Sequence, residues 1–142
     1  VDANRVGICG WSYGGYETLM AATAPGNPFK AAVSIAPVTD WRFYDTVYTE
    51  RYMSTPQQNE DGYEEAAALT RVDNLKANLL IMHGTSDDNV HIANTMEFLS
   101  RLIAAGRYCD LFLFPAMNHS IGVCNARQLI YSRMLEYFNR NL

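Results

Sequence analysis

Apolar residues along this chain fall into short continuous runs that are separated by segments with helical spacing. The runs predict strands at residues 5–9, 30–36, 78–82 and 110–114. The second run is apolar almost throughout, which is typical of a strand buried on both faces of a parallel sheet. Strands that alternate with helices predict an α/β fold with about four parallel strands flanked by helices.

Apolar positions three and four residues apart predict the helices that connect these strands. The predicted helices cover residues 13–23, 63–70, 89–105 and 125–139. Residues 38–62 are rich in aromatic side chains, but their apolar positions follow neither the helical nor the strand period. We therefore expect an irregular segment there. The last helix is expected to bury one apolar stripe: Leu129, Ile130, Met134, Leu135 and Phe138.

Length, composition and charge are those of a globular domain. The chain has 142 residues, of which 49% are hydrophobic, and this suffices for one buried core. The net charge of −4 comes with no basic stripe, so we expect no nucleic-acid partner. No run of about 18 apolar residues occurs that could span a membrane, and we do not expect the opening residues to be a signal peptide. The histidines lack metal-ligand spacing, so we expect no metal and no cofactor.

The first predicted strand ends in the motif G-x-S-x-G, formed by Gly10, Ser12 and Gly14. Between a strand and a helix, this motif is typical of the nucleophile elbow of α/β-hydrolases, a tight turn that lifts the serine hydroxyl to the top of the sheet. Side chains two places before or after the serine would clash with neighbouring backbone, so glycine is expected at both positions. The amide of Tyr13 could then stabilise an oxyanion. The alternative is that Ser12 only caps the helix.

An acid and a base follow the third and fourth predicted strands in the order that this fold uses. Asp87 and Asp88 come after the third strand, and His119 comes after the fourth. An aspartate would hold the imidazole of His119 in the tautomer that accepts the proton of Ser12. Spacing alone leaves open which aspartate does so, because one of the two is expected to cap the helix predicted at residue 89. The alternative for His119 is a histidine in an exposed loop.

The remaining histidines and the cysteines are expected to have structural roles. His83 ends an apolar strand and is expected to be packed in a turn, whereas His91 is expected to cap a helix or to face solvent. Cys9 lies in an apolar strand and is expected to be buried. A disulfide between Cys109 and Cys124 is an open alternative for an exported protein.

Four motifs resemble the prolyl oligopeptidase family and, within it, the dipeptidyl-peptidase-IV branch, especially its bacterial members. The motifs are GWSYGGY, YDTVYTERYM, HGTSDDNVH and NHSIG, and the resemblance runs from residue 1 to residue 142. It implies a serine peptidase that releases N-terminal dipeptides with proline or alanine in the penultimate position. It also implies that Ser12 is the nucleophile, Asp87 the acid and His119 the base, with the amide of Tyr13 in the oxyanion hole.

The same resemblance implies a substrate pocket in and near the aromatic-rich segment. Its walls would be formed by five side chains: Val38, Trp41, Tyr44, Tyr48 and Val90. Asn89 would help to hold a substrate carbonyl. Aromatic walls suit a proline ring, which is flat, apolar and small. The alternative is that the aromatic residues form a hydrophobic plug under a long loop.

By this resemblance, residues 1–142 would be the C-terminal half of an α/β-hydrolase domain of about eight strands. A β-propeller and the first half of that domain would precede this segment and would be its partner. They would supply a second oxyanion donor and a glutamate pair for the substrate's amine, so residues 1–142 alone are expected to be weakly active or inactive. The resemblance further implies a homo-oligomer that a bacterium exports to its periplasm or cell surface.

Other functions stay open. An esterase or lipase of this fold would have the same elbow, although the segment YDTVYTERYM disfavours it. Acylaminoacyl and tripeptidyl peptidases would differ from a dipeptidyl peptidase in segments outside this chain. A binding module could carry the three residues as a relic, which the intact set argues against.

Overall fold

The apolar runs pair side by side into one parallel sheet. The computed structural model describes residues 2–142, and within them four strands follow the order β1-β2-β3-β4. Their bounds are β1 Val6–Trp11, β2 Phe29–Ile35, β3 Asn78–Gly84 and β4 Asp110–Phe114. Each neighbouring pair is parallel, so all the carboxyl ends lie at the same end of the sheet. The predicted α/β fold of four parallel strands flanked by helices is confirmed.

Within residues 2–142, five helices and two 3-10 turns connect the strands. The helices are α1 Tyr13–Ala22, α2 Thr46–Met53, α3 Glu60–Ala66, α4 Ala93–Ala104 and α5 Ala126–Asn141, and the 3-10 turns are Trp41–Phe43 and Ala68–Asn74. Residues 38–62, predicted to be irregular, therefore contain a 3-10 turn, the whole of α2 and the start of α3. Thr49 is the one buried residue of α2, so this surface helix has no apolar stripe that the sequence could reveal.

Helix α4 begins at Ala93, later than the predicted start at residue 89. In the loop before it, the side chain of Asp87 accepts hydrogen bonds from the backbone amides of Asn89 and Val90. Because such side-chain bonds compete with helical ones, they hold these residues in a turn. The expectation that an aspartate caps the helix is wrong, since Ile92 occupies the cap position.

Successive strand residues point to opposite faces of the sheet, and each face has its own core. On one face, Ile81 of β3 belongs to a cluster with Leu19 of α1 and Phe98 of α4. On the other face, Met82 belongs to a cluster with Ile130 of α5. All five side chains are fully buried. The sheet is therefore a rigid middle layer, which fixes the positions of the loops at its carboxyl end.

The buried stripe of α5 differs from the predicted one. Ala126, Ile130 and Tyr137 are buried and follow one another along one face of the helix. Leu129 and Leu135 are 41% and 62% exposed, so the prediction that they face the sheet is wrong. A helix packed on a sheet buries a stripe only about 100° wide, and these two leucines lie outside it.

The cysteines Cys9, Cys109 and Cys124 are all free. Cys109 and Cys124 therefore form no disulfide. Burial raises the pKa of the Cys109 thiol to about 11. Cys9 is exposed, contrary to expectation, because β1 lies at an edge of the described sheet.

The outer edge of β1 has no strand beside it within residues 2–142, and an unpaired edge is a template for pairing with another chain. We therefore expect purified residues 1–142 to self-associate, with a mass that rises with concentration in light scattering. Cys9→Lys should lower that mass, because a charge at a strand edge opposes pairing. Cys9→Ser is the matched control, since it removes the thiol without adding charge. A monomeric mass at every concentration would contradict this expectation.

Candidate active site

Ser12 lies in the sharp turn between β1 and α1. Its backbone has φ 60° and ψ −117°, a strained conformation for a residue with a side chain. A Cβ at Gly10 would collide with the carbonyl group of Gly14, and a Cβ at Gly15 would lie 2.7 Å from the carbonyl oxygen of Ile35. Gly10 and Gly15 therefore let the turn close. A Cβ at Gly14 would meet nothing within 4 Å among the described residues, so the expected steric need for glycine there is wrong.

Three side chains from three loops at this end of the sheet form one line of hydrogen bonds. Oγ of Ser12 lies 2.8 Å from Nε2 of His119, and Nδ1 of His119 lies 2.7 Å from Oδ2 of Asp87. Since a carboxylate only accepts hydrogen bonds, Nδ1 carries the proton and donates to Asp87. Nε2 is left with a lone pair that faces the serine hydroxyl, as a general base requires.

Donors meet both carboxylate oxygens of Asp87. Oδ1 accepts from the amides of Asn89 at 3.0 Å and Val90 at 2.9 Å, and Oδ2 accepts from His119. Asp87 is 4% exposed, and a buried carboxylate needs such partners to stay charged. Asp88 is exposed, so Asp87 is the member of the pair that reaches the imidazole. The structure thus answers the question that spacing left open.

Hydrogen bonds join the loop that carries His119 to residues at the carboxyl ends of β1 and β3. Nε1 of Trp11 donates to the carbonyl oxygen of His119 at 3.2 Å. The amide of Ser86 donates to the carbonyl oxygen of Met117 at 3.0 Å. A Cβ at Gly84 would collide with that same carbonyl, so glycine at the end of β3 lets the loop pass closely over it. His119 is consequently half-buried and held in place, unlike a histidine in an exposed loop.

The backbone amide of Tyr13 stands at the first position of α1. Amides in the first turn of a helix have no acceptor within the helix, and the helix dipole gives this end a partial positive charge. The amide is therefore a donor available to an oxyanion that forms beside the hydroxyl of Ser12.

The side chains predicted to line a substrate pocket lie together. Val38, Trp41 and Val90 are buried in one cluster, and Tyr44 packs against it. The ring centroid of Trp41 lies 5.8 Å from that of Tyr44 and 6.0 Å from that of Tyr48. These spacings are those of aromatic rings in direct contact.

This aromatic cluster is open on one side. A cleft of about 520 Å³ borders Tyr13 and, of the predicted wall residues, Trp41 and Tyr48, whereas Val38, Tyr44 and Val90 do not line it. Tyr13 and Tyr48 are 53% and 41% exposed, which a closed hydrophobic plug would not allow. Oδ1 of Asn89 accepts a hydrogen bond from the hydroxyl of Tyr44 at 2.7 Å. That bond orients the amide group, so that its Nδ2 is the donor that Asn89 can offer to a ligand.

His83 makes a contact with this site that the sequence reasoning missed. It is fully buried, as expected of a packed histidine. Its Nε2 lies 2.9 Å from the carbonyl oxygen of Val90 and 3.2 Å from Oδ2 of Asp87, and its Nδ1 lies 2.7 Å from Oγ1 of Thr95. Burial lowers the pKa of His83, which favours the neutral ring. His91 is exposed, in line with its expected place at the surface.

Among residues 2–142, no group of three or more histidine, cysteine, aspartate or glutamate side chains is arranged to hold a metal ion. The longest helix of this part of the chain, α5, has 16 residues. None of its helices has the length and apolar character needed to cross a membrane.

Both the sequence and the fold are similar to those of known peptidases. A model of the prolyl oligopeptidase family matches residues 1–142. The chain is 47% identical to dipeptidyl aminopeptidase B of Saccharomyces cerevisiae over 143 aligned positions, which cover 99% of this chain and 18% of that protein. The crystal structure of Porphyromonas gingivalis dipeptidyl peptidase 4 matches all of this chain and 20% of its own, with a TM-score of 0.97 and 48% identity. A putative dipeptidyl aminopeptidase IV from Bacteroides ovatus matches all of this chain and 20% of its own, with a TM-score of 0.95 and 37% identity.

The chain thus spans about a fifth of the length of these relatives. Its parallel strands and flanking helices match the C-terminal α/β-hydrolase part of dipeptidyl-peptidase-4-like enzymes, which confirms the predicted fold class. The family match extends over the same residues as the predicted resemblance. The chain belongs to the prolyl oligopeptidase family.

Proposed function

We propose that this chain carries the catalytic triad of a serine dipeptidyl peptidase, which releases N-terminal dipeptides with proline or alanine in the penultimate position. The observation that carries the proposal is the line from Ser12 through His119 to Asp87, with links of 2.8 and 2.7 Å. A serine hydroxyl is a weak nucleophile until a neighbouring base takes its proton. The names of the yeast and bacterial relatives support the dipeptidyl-peptidase class.

In the proposed reaction, His119 accepts the proton of Ser12 while Oγ attacks the carbonyl carbon of the scissile peptide bond. The oxyanion that forms accepts a hydrogen bond from the amide of Tyr13. Asp87 stabilises the imidazolium without taking its proton. His119 then gives the proton to the leaving amine, and it later activates the water that hydrolyses the acyl-serine ester.

The aromatic cluster supports a small apolar side chain in the penultimate position. Five side chains would enclose the proline ring: Val38, Trp41, Tyr44, Tyr48 and Val90. Burial of a flat, apolar ring against aromatic faces is favourable. Nδ2 of Asn89, oriented by Tyr44, would donate to a substrate carbonyl.

The intact protein is proposed to be longer, because the chain spans about a fifth of its relatives. A β-propeller and the first half of the hydrolase domain would precede this segment. A strand of that first half would pair with the open edge of β1. They would supply a second oxyanion donor and a glutamate pair that binds the substrate's amine. Such a protein is proposed to be a homo-oligomer exported to the periplasm or cell surface of a bacterium.

The full-length protein should hydrolyse a Gly-Pro-anilide, and Ser12→Ala should abolish the hydrolysis because it removes the nucleophile. Residues 1–142 alone should be slower by roughly 10²–10³, the cost of one missing oxyanion donor. Release of the aniline measures both rates, and labelling of Ser12 by a fluorophosphonate counts the active sites. Equal rates per active site for the two proteins would refute the need for the preceding segment.

Other substrates separate this function from the alternatives. Faster turnover of acyl esters than of the Gly-Pro-anilide would favour an esterase or lipase. A preference for N-acyl amino acid or tripeptide anilides would favour an acylaminoacyl or a tripeptidyl peptidase. A full-length protein whose Ser12 does not react with the fluorophosphonate would be a binding module with a relic triad.

Asp87→Asn should lower kcat by several orders of magnitude, on the order of 10⁴, because the neutral amide neither fixes the productive tautomer of His119 nor stabilises its cation. Asp88→Asn is the matched control, since it removes the same charge from the exposed neighbour and should leave kcat unchanged. Steady-state hydrolysis of the Gly-Pro-anilide measures both variants. Similar losses in the two would contradict the assignment of Asp87.

Tyr44→Phe should raise KM for the Gly-Pro-anilide by about fivefold, the equivalent of one hydrogen bond of about 1 kcal/mol. The change removes the hydroxyl that orients Asn89 but keeps the ring beside Trp41. Tyr131→Phe, at an exposed tyrosine of α5, is the control and should leave KM unchanged. An unchanged KM in Tyr44→Phe would speak against substrate binding by Asn89.

A further inference from the structure

His83 contacts Asp87, the acid of the proposed triad, at the same carboxylate oxygen as His119, and the side chains of His83 and Asp87 are both fully buried. Nε2 of His83 lies 3.2 Å from Oδ2 of Asp87, and neither side chain is accessible to solvent. The same nitrogen lies 2.9 Å from the carbonyl oxygen of Val90, and the other ring nitrogen lies 2.7 Å from Oγ1 of Thr95. The proposed reaction assigns no role to this histidine.

These contacts define the tautomer of His83. Carbonyl and carboxylate oxygens only accept hydrogen bonds, so Nε2 must carry the proton. It donates to the carbonyl oxygen of Val90 at 2.9 Å and lies 3.2 Å from Oδ2 of Asp87. Nδ1 then has a lone pair, to which the hydroxyl of Thr95 donates. Thr95 is itself fully buried in α4, where it is held against β3. The neutral ring is consistent with burial, which lowers the pKa of His83.

We propose that His83 is a positioning residue of the triad: as the Nε2–H tautomer that the oxygens of Val90 and Asp87 require, it shares its proton with Oδ2 of Asp87 and holds this carboxylate in line with His119. The use of that orientation in catalysis rests on the proposed function. Val90 completes the arrangement, because its amide donates to Oδ1 of Asp87 while its carbonyl accepts from His83. The carboxylate is thereby held through both oxygens.

The groups that act electrostatically on this pair come from several elements. His119 contacts Asp87 from the loop after β4. Tyr44, in the turn after the first 3-10 segment, donates to Asn89, whose backbone amide donates to Asp87. Burial raises the pKa of Tyr44, so its hydroxyl stays neutral. The N–H dipole of His83 points its positive end at the carboxylate and so reduces the pull of Asp87 on an imidazolium at His119. Removal of that dipole should therefore favour the protonated form of His119.

The test uses the full-length protein with three substitutions and reads both Gly-Pro-anilide hydrolysis and fluorophosphonate labelling of Ser12 against pH. His83→Leu should lower both rates roughly tenfold, the value of a hydrogen bond to a charged group, and should move the acidic limb to higher pH. His83→Gln offers an amide donor near the position of Nε2 and should restore most of the rate. His91→Leu, at an exposed histidine of the next loop, should match the unsubstituted protein.

Unchanged rates in His83→Leu would overturn the inference. So would a loss that His83→Gln does not restore and that leaves the acidic limb in place, because this pattern indicates a packing role only. If His83→Leu fails to fold, His83→Gln must still show a rate close to that of the unsubstituted protein and an acidic limb of the pH–rate profile at nearly the same pH.

A neutron crystal structure of the unsubstituted full-length protein locates the proton on His83 independently of activity. A proton on Nδ1 would overturn the inference even in an active peptidase. If the protein is inactive although Nε2 carries the proton, the proposed function is wrong. The contact between His83 and Asp87 would then exist but would have no catalytic use.

Discussion

The carboxylate of Asp87 is almost completely removed from water, and a charge in such a place persists only where donors surround it. The amides of Asn89 and Val90 meet one oxygen, and His119 meets the other. These bonds shape the chain around them, since they form the turn after β3 and delay the start of α4 to Ala93. One buried charge therefore determines the local backbone as well as the tautomer of the imidazole.

The parallel sheet brings the other partners to that charge. Ser12 and His119 are 107 positions apart in the sequence, yet their side chains lie 2.8 Å apart. Backbone hydrogen bonds continue past the strand ends and fix the position of each loop relative to the sheet. The amide of Ser12 donates to the carbonyl oxygen of Ile35 at 2.8 Å, and the amide of Thr85 donates to that of Phe114 at 3.0 Å. Because all strands run the same way, these loops leave the sheet on one side and can meet.

Hydrophobic patterns predicted the sheet well, because buried strands and amphipathic helices leave periodic signals. The predicted strand at residues 110–114 has the bounds of β4. Helix α2 could not be predicted in this way, since Thr49 is its one buried residue and its packing leaves no stripe. The exposure of Cys9 depends on the neighbours of β1, which a local pattern does not contain.

For the site, too, the sequence predicted what depends on local motifs but not what depends on contacts between distant parts of the fold. The motif around Ser12 and the order of the later residues predicted which side chains meet, and the structure brings them together. Spacing could not select Asp87 over Asp88, because that choice depends on how the turn folds. Nor could it reveal the contact of His83 with Asp87, since a separation of four residues predicts proximity in a helix but not across a strand end and a turn.

Residues 87–90 join the proposed acid to the aromatic cluster through a short stretch of chain. The amide of Val90 holds Asp87, while its side chain is buried with Val38 and Trp41. The side chain of Asn89 is bonded to Tyr44, and its amide holds the same carboxylate. In the proposed peptidase, a proline ring bound at the aromatic cluster would therefore contact residues 87–90, which orient the carboxylate of Asp87. Substrate fit and triad geometry would be coupled by these contacts, so a poorly fitting residue would lose rate as well as binding.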